Sequence, residues 1–326
     1  MNRQDLRIVF MGTPEFAVET LDALVKNNYN VVAVVTQPDK PVGRHGSVLQ
    51  PSAVKQYALA HGLPVLQPVR MKDEEFIREL QGYQANLQVV VAFRMLPEVV
   101  WNMPEFGTFN VHAALLPQYR GAAPINWAVI NGETRTGVTT FFLDHDIDTG
   151  RVIMQLPFDI HEDYNVEDVY NGLMRLGADI CLRTLERIVE SGGHPQAMPQ
   201  EQMMAVGEEL RPAPKIFKDT CRMDWTKTAR QVYDFVRGLS PSPGAWTMLV
   251  APDGKEAVMK VYATSKTGMS SEGRYPGAIV CKDRKLYVAA DDCLVELVEV
   301  QLAGKKRMRA SDFINGMKNI DDFQIK

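Results

Sequence analysis

Short apolar, β-branched runs alternate with helical patterns through the first 191 residues of the chain. The predicted strands are residues 6–11, 31–35, 88–93, 108–112, 137–143 and 151–157. The predicted helices, which separate most of these strands, are residues 16–26, 53–61, 74–81, 124–131 and 166–191. Continuous apolar strands joined by helices are typical of a largely parallel sheet covered on both faces. The alternation therefore predicts a doubly wound, Rossmann-like α/β domain over residues 1–191.

The sequence changes character after residue 191. Residues 192–206 are rich in Gly, Pro, Gln and Met without a period, which predicts a linker. Residues 207–326 carry one helical pattern, residues 228–239, followed by short strand patterns at 246–250, 257–263, 277–281, 285–289 and 294–301. Closely spaced short strands predict a small OB-like β-barrel as a second domain.

Charge is distributed unevenly along the chain. The whole chain has a net charge of −4, which excludes a generally basic nucleic-acid binder but not a protein with one basic face. Residues 207–326 carry 20 Lys and Arg against 16 Asp and Glu, a net charge of +4. This part includes the cluster Lys305-Lys306-Arg307-Met308-Arg309, which alone indicates only a solvated turn. The asymmetry favours a polyanionic partner for the second domain.

The cysteines and the apolar runs exclude several other classes. Four cysteines occur without a CxxC pair, so neither a zinc ribbon nor a disulfide framework is predicted. The longest apolar runs are strand-length, too short to span a membrane. The residues after Met1 do not resemble a signal peptide, and a cytoplasmic location is expected.

Asn110 and His112 are the first candidates for chemistry. They lie two residues apart on a predicted strand, so their side chains share one face of the sheet. They also lie near the carboxyl end of that strand, where ligands bind in open α/β sheets. A buried strand rarely carries two polar side chains on one face without a partner. The pair is therefore either a satisfied amide and imidazole in the core or part of a ligand site.

A second polar group follows the predicted strand 137–143. The stretch Asp144-His145-Asp146-Ile147-Asp148-Thr149-Gly150 admits several interpretations. A metal site would need more regularly spaced oxygen ligands. An aspartic protease would need a second copy of Asp-Thr-Gly in a different fold. A single catalytic carboxylate, Asp148, beside His112 remains, as does an ordinary Asx turn.

Two nucleotide-binding motifs are missing from the sequence. The turn Gly12-Thr13-Pro14-Glu15 after the first strand is not a GxGxxG fingerprint, and the chain has no Walker A lysine. A dehydrogenase or a nucleoside triphosphatase is therefore not favoured.

Motifs spread over nearly the whole chain point to one family. They are residues 8–17, 110–113, 115–117, 119–125, 148–150, 213–215, 224–225, 239–241, 243–246 and 304–308. In these segments the chain resembles the methionyl-tRNA formyltransferases, within the folate-dependent formyltransferase family. The family commonly has Ser at the position of Ala114 and a basic residue at the position of Gln118. It also commonly has Tyr-Gly-Leu-Ile-Leu-Pro where this chain has Phe93-Arg94-Met95-Leu96-Pro97.

The resemblance implies three sets of site residues and no metal. The implied catalytic residues are Asn110, His112 and Asp148. The implied folate-binding residues are Phe93, Arg94, Met95, Leu96, Ala114, Leu115, Leu116 and Pro117. The implied tRNA-binding residues are Lys40, Arg44, Lys305, Lys306 and Arg307.

The implied reaction moves a formyl group from 10-formyltetrahydrofolate to the α-amine of methionyl-initiator tRNA. In this hypothesis Asn110 and His112 donate hydrogen bonds to a tetrahedral oxyanion. Asp148 keeps His112 protonated and accepts the proton of the amine. The protein is expected to act as a monomer, with initiator methionyl-tRNA and the folate cosubstrate as its partners.

Three alternatives share some of these features. A formyltransferase that acts on a nucleotide-linked amino sugar would use the same three catalytic residues. A hydrolase would release formate from the folate, with Asp148 activating water. A non-catalytic RNA-binding protein would have no need of Asn110, His112 and Asp148 together.

Overall fold

The computed structural model describes residues 1–42, 48–317 and 319–326. Its strands, numbered β1 to β16 in chain order, are Arg7–Gly12, Asn30–Val35, Lys40–Val42, Val48–Gln50, Val65–Leu66, Leu87–Val91, Thr108–His112, Arg135–Phe142, Val152–Asp159, Ala245–Val250, Glu256–Ser270, Ile279–Lys282, Lys285–Ala289, Cys293–Leu302, Met308–Arg309 and Gln324–Ile325. Its helices, α1 to α8, are Glu15–Lys26, Ala53–Ala60, Glu74–Gly82, Glu98–Trp101, Pro124–Ile130, Val166–Glu190, Ala229–Leu239 and Ala310–Asn315.

The chain divides into two compact units. The first comprises residues 1–121, 135–159 and 170–212, and the second comprises residues 122–134, 160–169 and 213–326. Neither unit is continuous in the chain, whereas the predicted domains, 1–191 and 207–326 with a linker between them, were drawn as continuous segments. The difference arises because two internal segments, 122–134 and 160–169, pack with the C-terminal residues rather than with the first sheet.

A seven-stranded sheet organises the first unit. Its order is β5-β2-β1-β6-β7-β8-β9. The pairs from β5 to β7 are parallel, and β8 and β9 pair antiparallel to their neighbours. This confirms the predicted Rossmann-like, largely parallel sheet.

The strand order reverses between β1 and β6, since the chain builds outward to β5 first and then returns to add β6 and β7. Ligands in open α/β sheets bind beyond the carboxyl ends of the strands at such a reversal. β7, the next strand along, ends at His112.

Burial along the first sheet follows from its apolar sequence. All five residues of β6 are buried, and β1 is buried from Ile8 onward. Helix α3 turns Phe76 and Leu80 toward the core and leaves most of its charged residues exposed. The sheet is therefore covered by helices with amphipathic sequences, which holds the carboxyl ends of its strands in fixed positions.

The second unit contains an antiparallel sheet in the order β12-β13-β14-β11-β10-β16, with β15 paired to β14. A separate antiparallel bridge joins Ala278, just before β12, to Gln324 in β16. One side of this sheet packs on helix α7, whose first turn is closed by a reciprocal capping box between Thr228 and Gln231. The strands predicted in this part of the chain are confirmed and pair antiparallel, whereas closure into an OB-like barrel stays a prediction.

The segment predicted as a linker packs in the first unit. Met198 and Val152 exchange two backbone hydrogen bonds of 2.8 Å, and Gln200 is fully buried. Composition indicated a linker because the segment has no apolar period, but the backbone of Met198 and the side chain of Gln200 attach it to the first unit. No helix in the described ranges is both long and apolar enough to cross a bilayer.

Candidate active site

Strand β7 presents Asn110 and His112 on one face at its carboxyl end, as predicted from their spacing. His112 is buried, with 6% of its surface exposed. The side-chain oxygen Oδ1 of Asn110 is also buried, and no described residue donates a hydrogen bond to it. A buried acceptor without a donor is costly, so this atom marks a place where a bound molecule can supply one.

The orientation of the His112 ring is fixed by a backbone carbonyl. Nε2 of His112 lies 2.9 Å from the carbonyl oxygen of Tyr119. Because a carbonyl can only accept a hydrogen bond, Nε2 carries a proton and donates it. Tyr119 is buried and has a φ of +61°, in the left-handed region, which turns its carbonyl toward the ring.

Asp148 approaches the other ring nitrogen of His112. Its Oδ2 atom lies 3.9 Å from Nδ1, a distance at which charges attract but a direct hydrogen bond does not form. The backbone N–H of Gly121 donates to the same Oδ2 atom at 2.9 Å. Asp148 also has a φ of +56°, so the turn holds the carboxylate in a conformation that side chains seldom adopt. The structure thus places His112 and Asp148 together.

The turn after Asp148 requires a glycine at residue 150. A Cβ atom at this position would collide with the carbonyl oxygen of Phe142. The chain therefore passes close enough to β8 to bring Asp148 back toward His112.

The segment Ala114–Pro117, implied to contact the folate, is held by polar side chains from two neighbouring strands. Thr139 Oγ1 donates to the carbonyl of Ala114 at 2.6 Å and accepts from the N–H of Leu116 at 3.1 Å. Gln155 Nε2 donates to the carbonyl of Leu116 at 2.7 Å. Ala114, Leu116 and Pro117 are buried and Leu115 is half-buried. These bonds fix the backbone of the segment.

The second implied folate segment, Phe93–Leu96, borders an open cavity of about 580 Å³. Met95, 71% exposed, and Leu96 line it, together with Met71, Lys72, Pro97, Glu98 and Val99. Arg94 does not line it: its guanidinium donates to the carbonyls of Pro68 and Val69, the latter at 2.9 Å. Burial lowers the pKa of Arg94 below its ordinary value. Arg94 is thus held by a neighbouring loop, with half-buried Phe93 beside it.

The implied tRNA-binding residues are separated along the chain. Lys40 is exposed on β3, and Arg44 lies outside the described residues. Asp39, just before β3, is fixed by Lys55 Nζ at 2.7 Å and by Gln67, and these hydrogen bonds lower the pKa of Asp39. The base of the β3–β4 hairpin is therefore anchored by a charge pair.

The other implied tRNA-binding residues follow β14. Lys305 and Lys306 are exposed. Arg307 donates to Glu299 Oε2 at 2.6 Å and lies over the ring of Tyr262, 4.2 Å from its centroid. The hydrogen bond to Glu299 raises the pKa of Arg307 above its ordinary value. Arg307 is thus partly neutralised, and Lys305 and Lys306 carry the exposed charge of this turn.

Four groups at the site have no role predicted from the sequence. Thr139 and Gln155 are polar residues within predicted strands, and polar residues at such positions indicate side chains that bond neighbouring backbone. The carbonyl of Tyr119 has no sequence signal, because every residue carries one. Gln200, whose amide bonds the carbonyls of Asp148 and Gly150, lies in a segment that is polar throughout.

Comparisons with known proteins identify the family of this chain. A family model described as "Formyl transferase" matches residues 6–185, and one described as "Formyl transferase, C-terminal domain" matches residues 215–318. The methionyl-tRNA formyltransferase of Parabacteroides distasonis is 57% identical over 100% of both chains. That of Bacteroides fragilis is 55% identical over 100% of this chain and 99% of its own. The chain belongs to the methionyl-tRNA formyltransferase family. This confirms the resemblance inferred from the motifs.

Solved structures agree at the level of the fold. The sugar 3N-formyl transferase WlaRD matches with a TM-score of 0.64 and 16% identity over 92% of this chain and 99% of its own. HypX from Aquifex aeolicus, solved with tetrahydrofolic acid, matches with a TM-score of 0.61 and 16% identity over 95% of this chain and 47% of its own.

Membership in the methionyl-tRNA formyltransferase family confirms the predicted enzyme class. Formyl transfer from 10-formyltetrahydrofolate is the chemistry of this family, so the donor inferred from the resemblance is also confirmed. Within the described ranges, no group of three or more His, Cys, Asp or Glu side chains is arranged to hold a metal ion.

Proposed function

We propose that the protein transfers the formyl group of 10-formyltetrahydrofolate to the α-amino group of methionyl-initiator tRNA. The observation that carries this proposal is the group formed by buried His112 and half-buried Asn110 and Asp148 at the carboxyl end of β7. Its relatives named methionyl-tRNA formyltransferase align over the whole chain, which supports the acceptor.

The reaction begins when the neutral amine of the methionyl ester attacks the formyl carbon. A new C–N bond forms, and the electrons of the C=O bond move onto oxygen to give a tetrahedral oxyanion. The amine loses one proton, the C–N10 bond breaks, and the folate nitrogen takes up a proton. Every step is a proton transfer, the addition of the amine to the carbonyl carbon, or the collapse of the adduct that re-forms the C=O bond and expels N10, so catalysis rests on positioning and on stabilising the oxyanion.

His112 supplies one donor for the oxyanion. Its Nε2 proton is engaged by Tyr119, so the ring nitrogen left for the substrate is Nδ1. The 3.9 Å gap between Nδ1 and Asp148 leaves Nδ1 without a direct hydrogen bond to that carboxylate. In this mechanism the ring donates to the oxyanion at Nδ1 while Nε2 stays bonded to Tyr119.

Asn110 can bond both polar atoms of the tetrahedral intermediate, the amine nitrogen and the oxyanion. Its buried Oδ1 atom lacks a donor, and the N–H of the attacking amine is a suitable one. Its Nδ2 atom is a donor for the oxyanion. A carboxamide presents acceptor and donor side by side, which matches the amine nitrogen and the oxygen bonded to the same tetrahedral carbon. Asp148 then accepts the proton that the amine loses.

The folate and the tRNA are assigned to different residues. We place the folate against Phe93–Leu96 and Ala114–Pro117, because the cavity beside Met95 and Leu96 is lined mostly by apolar side chains. We place tRNA phosphates on Lys40, Arg44, Lys305, Lys306 and Arg307. The exposed turn Lys305-Lys306 supports this because phosphate contacts need only accessible cations.

We also infer that the C-terminal sheet closes into an OB-like barrel. The Ala278–Gln324 bridge supports closure because it joins the two ends of the strand order. We further propose that the protein acts as a monomer in the cytoplasm, where initiator tRNA is used. Light scattering of the purified protein tests whether it is a monomer, for which a mass of 36.6 kDa is expected.

An acceptor assay tests the proposed function. The protein is incubated with formyl-labelled 10-formyltetrahydrofolate and methionyl-initiator tRNA, a nucleotide-linked amino sugar, or no acceptor. We expect label on the tRNA alone. Label on the sugar would identify the rival transferase, and formate release that does not depend on an acceptor would identify a hydrolase.

A further inference from the structure

Gln200 is a fully buried polar side chain that no part of the proposed mechanism uses. It begins a short 3-10 helix, Gln200–Met203, in the segment whose composition indicated a linker. Because Met198 pairs with Val152, the first residue of β9, this segment is anchored to the first sheet. We infer that Gln200 is a positioning residue that holds Asp148 in its reactive orientation toward His112, an inference that rests on the proposed function.

The amide nitrogen of Gln200 holds the Asp148 turn. Nε2 donates to the carbonyl of Asp148 at 2.9 Å and to the carbonyl of Gly150 at 2.8 Å. The left-handed conformation of Asp148 (φ of +56°) is one that residues with a side chain seldom adopt. Two hydrogen bonds from one buried amide select this turn over alternatives.

The amide oxygen of Gln200 holds the segment that orients His112. Oε1 accepts from Arg120 Nε at 3.0 Å and from Arg120 Nη2 at 2.7 Å. Arg120 lies between Tyr119, whose carbonyl accepts from His112, and Gly121, whose N–H donates to Asp148. Gln200 therefore joins the two segments that carry the reacting groups, and its amide uses both donors and accepts twice.

The neutral amide suits this position better than a carboxylate. Glutamate has the same size and would still accept from Arg120. It could not donate to the carbonyls of Asp148 and Gly150, and its charge would face those two oxygens instead. Gln200→Glu thus removes the two hydrogen bonds to the Asp148 turn with little change in volume. Gln200→Ala removes these bonds together with those from Arg120.

A double-mutant cycle separates positioning from general stability. Single-turnover formyl transfer to methionyl-initiator tRNA is measured for Gln200→Glu, Gln200→Ala, Asp148→Asn and the two combined variants. We expect each Gln200 variant to lower the rate by about tenfold to 100-fold, because misplacing a reacting group by 1 Å has effects of this size. The KM for the folate donor should stay within about twofold. In the Asp148→Asn background, either Gln200 substitution should add less than about twofold, because both act through one group.

Gln88→Ala is the matched control. Gln88 is a buried glutamine of the same unit, 1% exposed, that bonds Thr108 where β6 and β7 begin, at the opposite ends of those strands from His112. Its loss should lower the unfolding temperature and leave the transfer rate within about twofold of the wild type.

Two results would overturn the inference. One is a Gln200→Ala rate that equals that of Gln88→Ala in a folded protein. The other is a loss of transfer rate from the Gln200 substitution that is as large in the Asp148→Asn background as in the wild type. A wild-type protein that transfers no formyl group to tRNA would instead overturn the proposed function, so the two failures are distinguishable.

Discussion

At the scale of single residues, the site combines two side chains that are each held by a backbone group with a third that has an unpaired buried oxygen. His112 and Asp148 are each fixed by a backbone group, whereas Oδ1 of Asn110 is buried without a donor. Spacing on one strand predicted that Asn110 and His112 share a face, and the family resemblance placed Asp148 with them. The fixing groups could not be predicted, since a backbone carbonyl or N–H carries no signal in the sequence.

Replacing Asn110 should separate activity from stability. Asn110→Leu keeps the volume of the side chain but removes both polar atoms. We expect the transfer rate to fall by about 10²–10³-fold, the usual effect of losing one oxyanion donor. The free energy of unfolding should stay unchanged or rise by about 1 kcal/mol, because an unpaired buried acceptor is removed. Single-turnover rates and urea unfolding measure the two quantities.

Thr139→Val is the control for Asn110→Leu. Thr139 is buried on the neighbouring strand, and its hydroxyl bonds the backbone of Ala114 and Leu116. Its removal should lower the free energy of unfolding by about 1–3 kcal/mol, because partners are left unpaired. A comparable loss of stability in Asn110→Leu would show that the Oδ1 atom of Asn110 is hydrogen-bonded in the free protein, which would contradict this prediction.

At the scale of elements, the sequence predicted the strands that form the centre of the sheet and the longer helices. The prediction for residues 108–112 coincides with β7, and that for 285–289 coincides with β13. The short pieces β5 and β16 were missed because two residues show no period. Their pairing is set by strands distant in sequence, and the same is true of the segment around Gln200.

The Asp148 turn depends on a glycine at residue 150. In Gly150→Ala the new Cβ collides with the carbonyl of Phe142, which is backbone and cannot move aside cheaply. We expect the free energy of unfolding to fall by about 2 kcal/mol or more, with a loss of formyl transfer as Asp148 shifts. Urea unfolding and the transfer assay measure both effects.

Gly82→Ala is the matched control in the same unit. Gly82 is the last residue of α3, and a Cβ there meets no atom within 4 Å. This substitution should raise the free energy of unfolding by about 0.5–1 kcal/mol, because alanine favours the helix. Equal effects at residues 82 and 150 would refute the close approach at the turn.

At the scale of the whole molecule, the charges are separated along the chain. The net charge of +4 over residues 207–326 contrasts with −4 for the entire chain. Lys305→Ala with Lys306→Ala should weaken tRNA binding and reduce the slope of log K against log salt by about 2, one for each phosphate contact. Arg307→Ala should change the slope less, because Glu299 already pairs with it. Filter binding at several salt concentrations provides the slopes.

Lys255→Ala serves as the control for that charge effect. Lys255 is exposed in another turn of the same unit and pairs with Asp253. It should leave the salt slope unchanged, and all lysine variants should keep the wild-type rate at saturating tRNA. Identical slopes for Lys255→Ala and the Lys305 and Lys306 double variant would exclude the basic turn as a tRNA contact.

The central claim is that Asp148, held beside His112, carries out formyl transfer to methionyl-initiator tRNA. The most direct measurement is single-turnover transfer from 10-formyltetrahydrofolate by the wild type and Asp148→Asn, with the aminoacyl product identified by mass spectrometry. The wild type should yield N-formylmethionyl-tRNA, and Asp148→Asn should be slower by about 10²–10⁴-fold with tRNA binding intact. A folded Asp148→Asn protein within about threefold of the wild type would contradict the account.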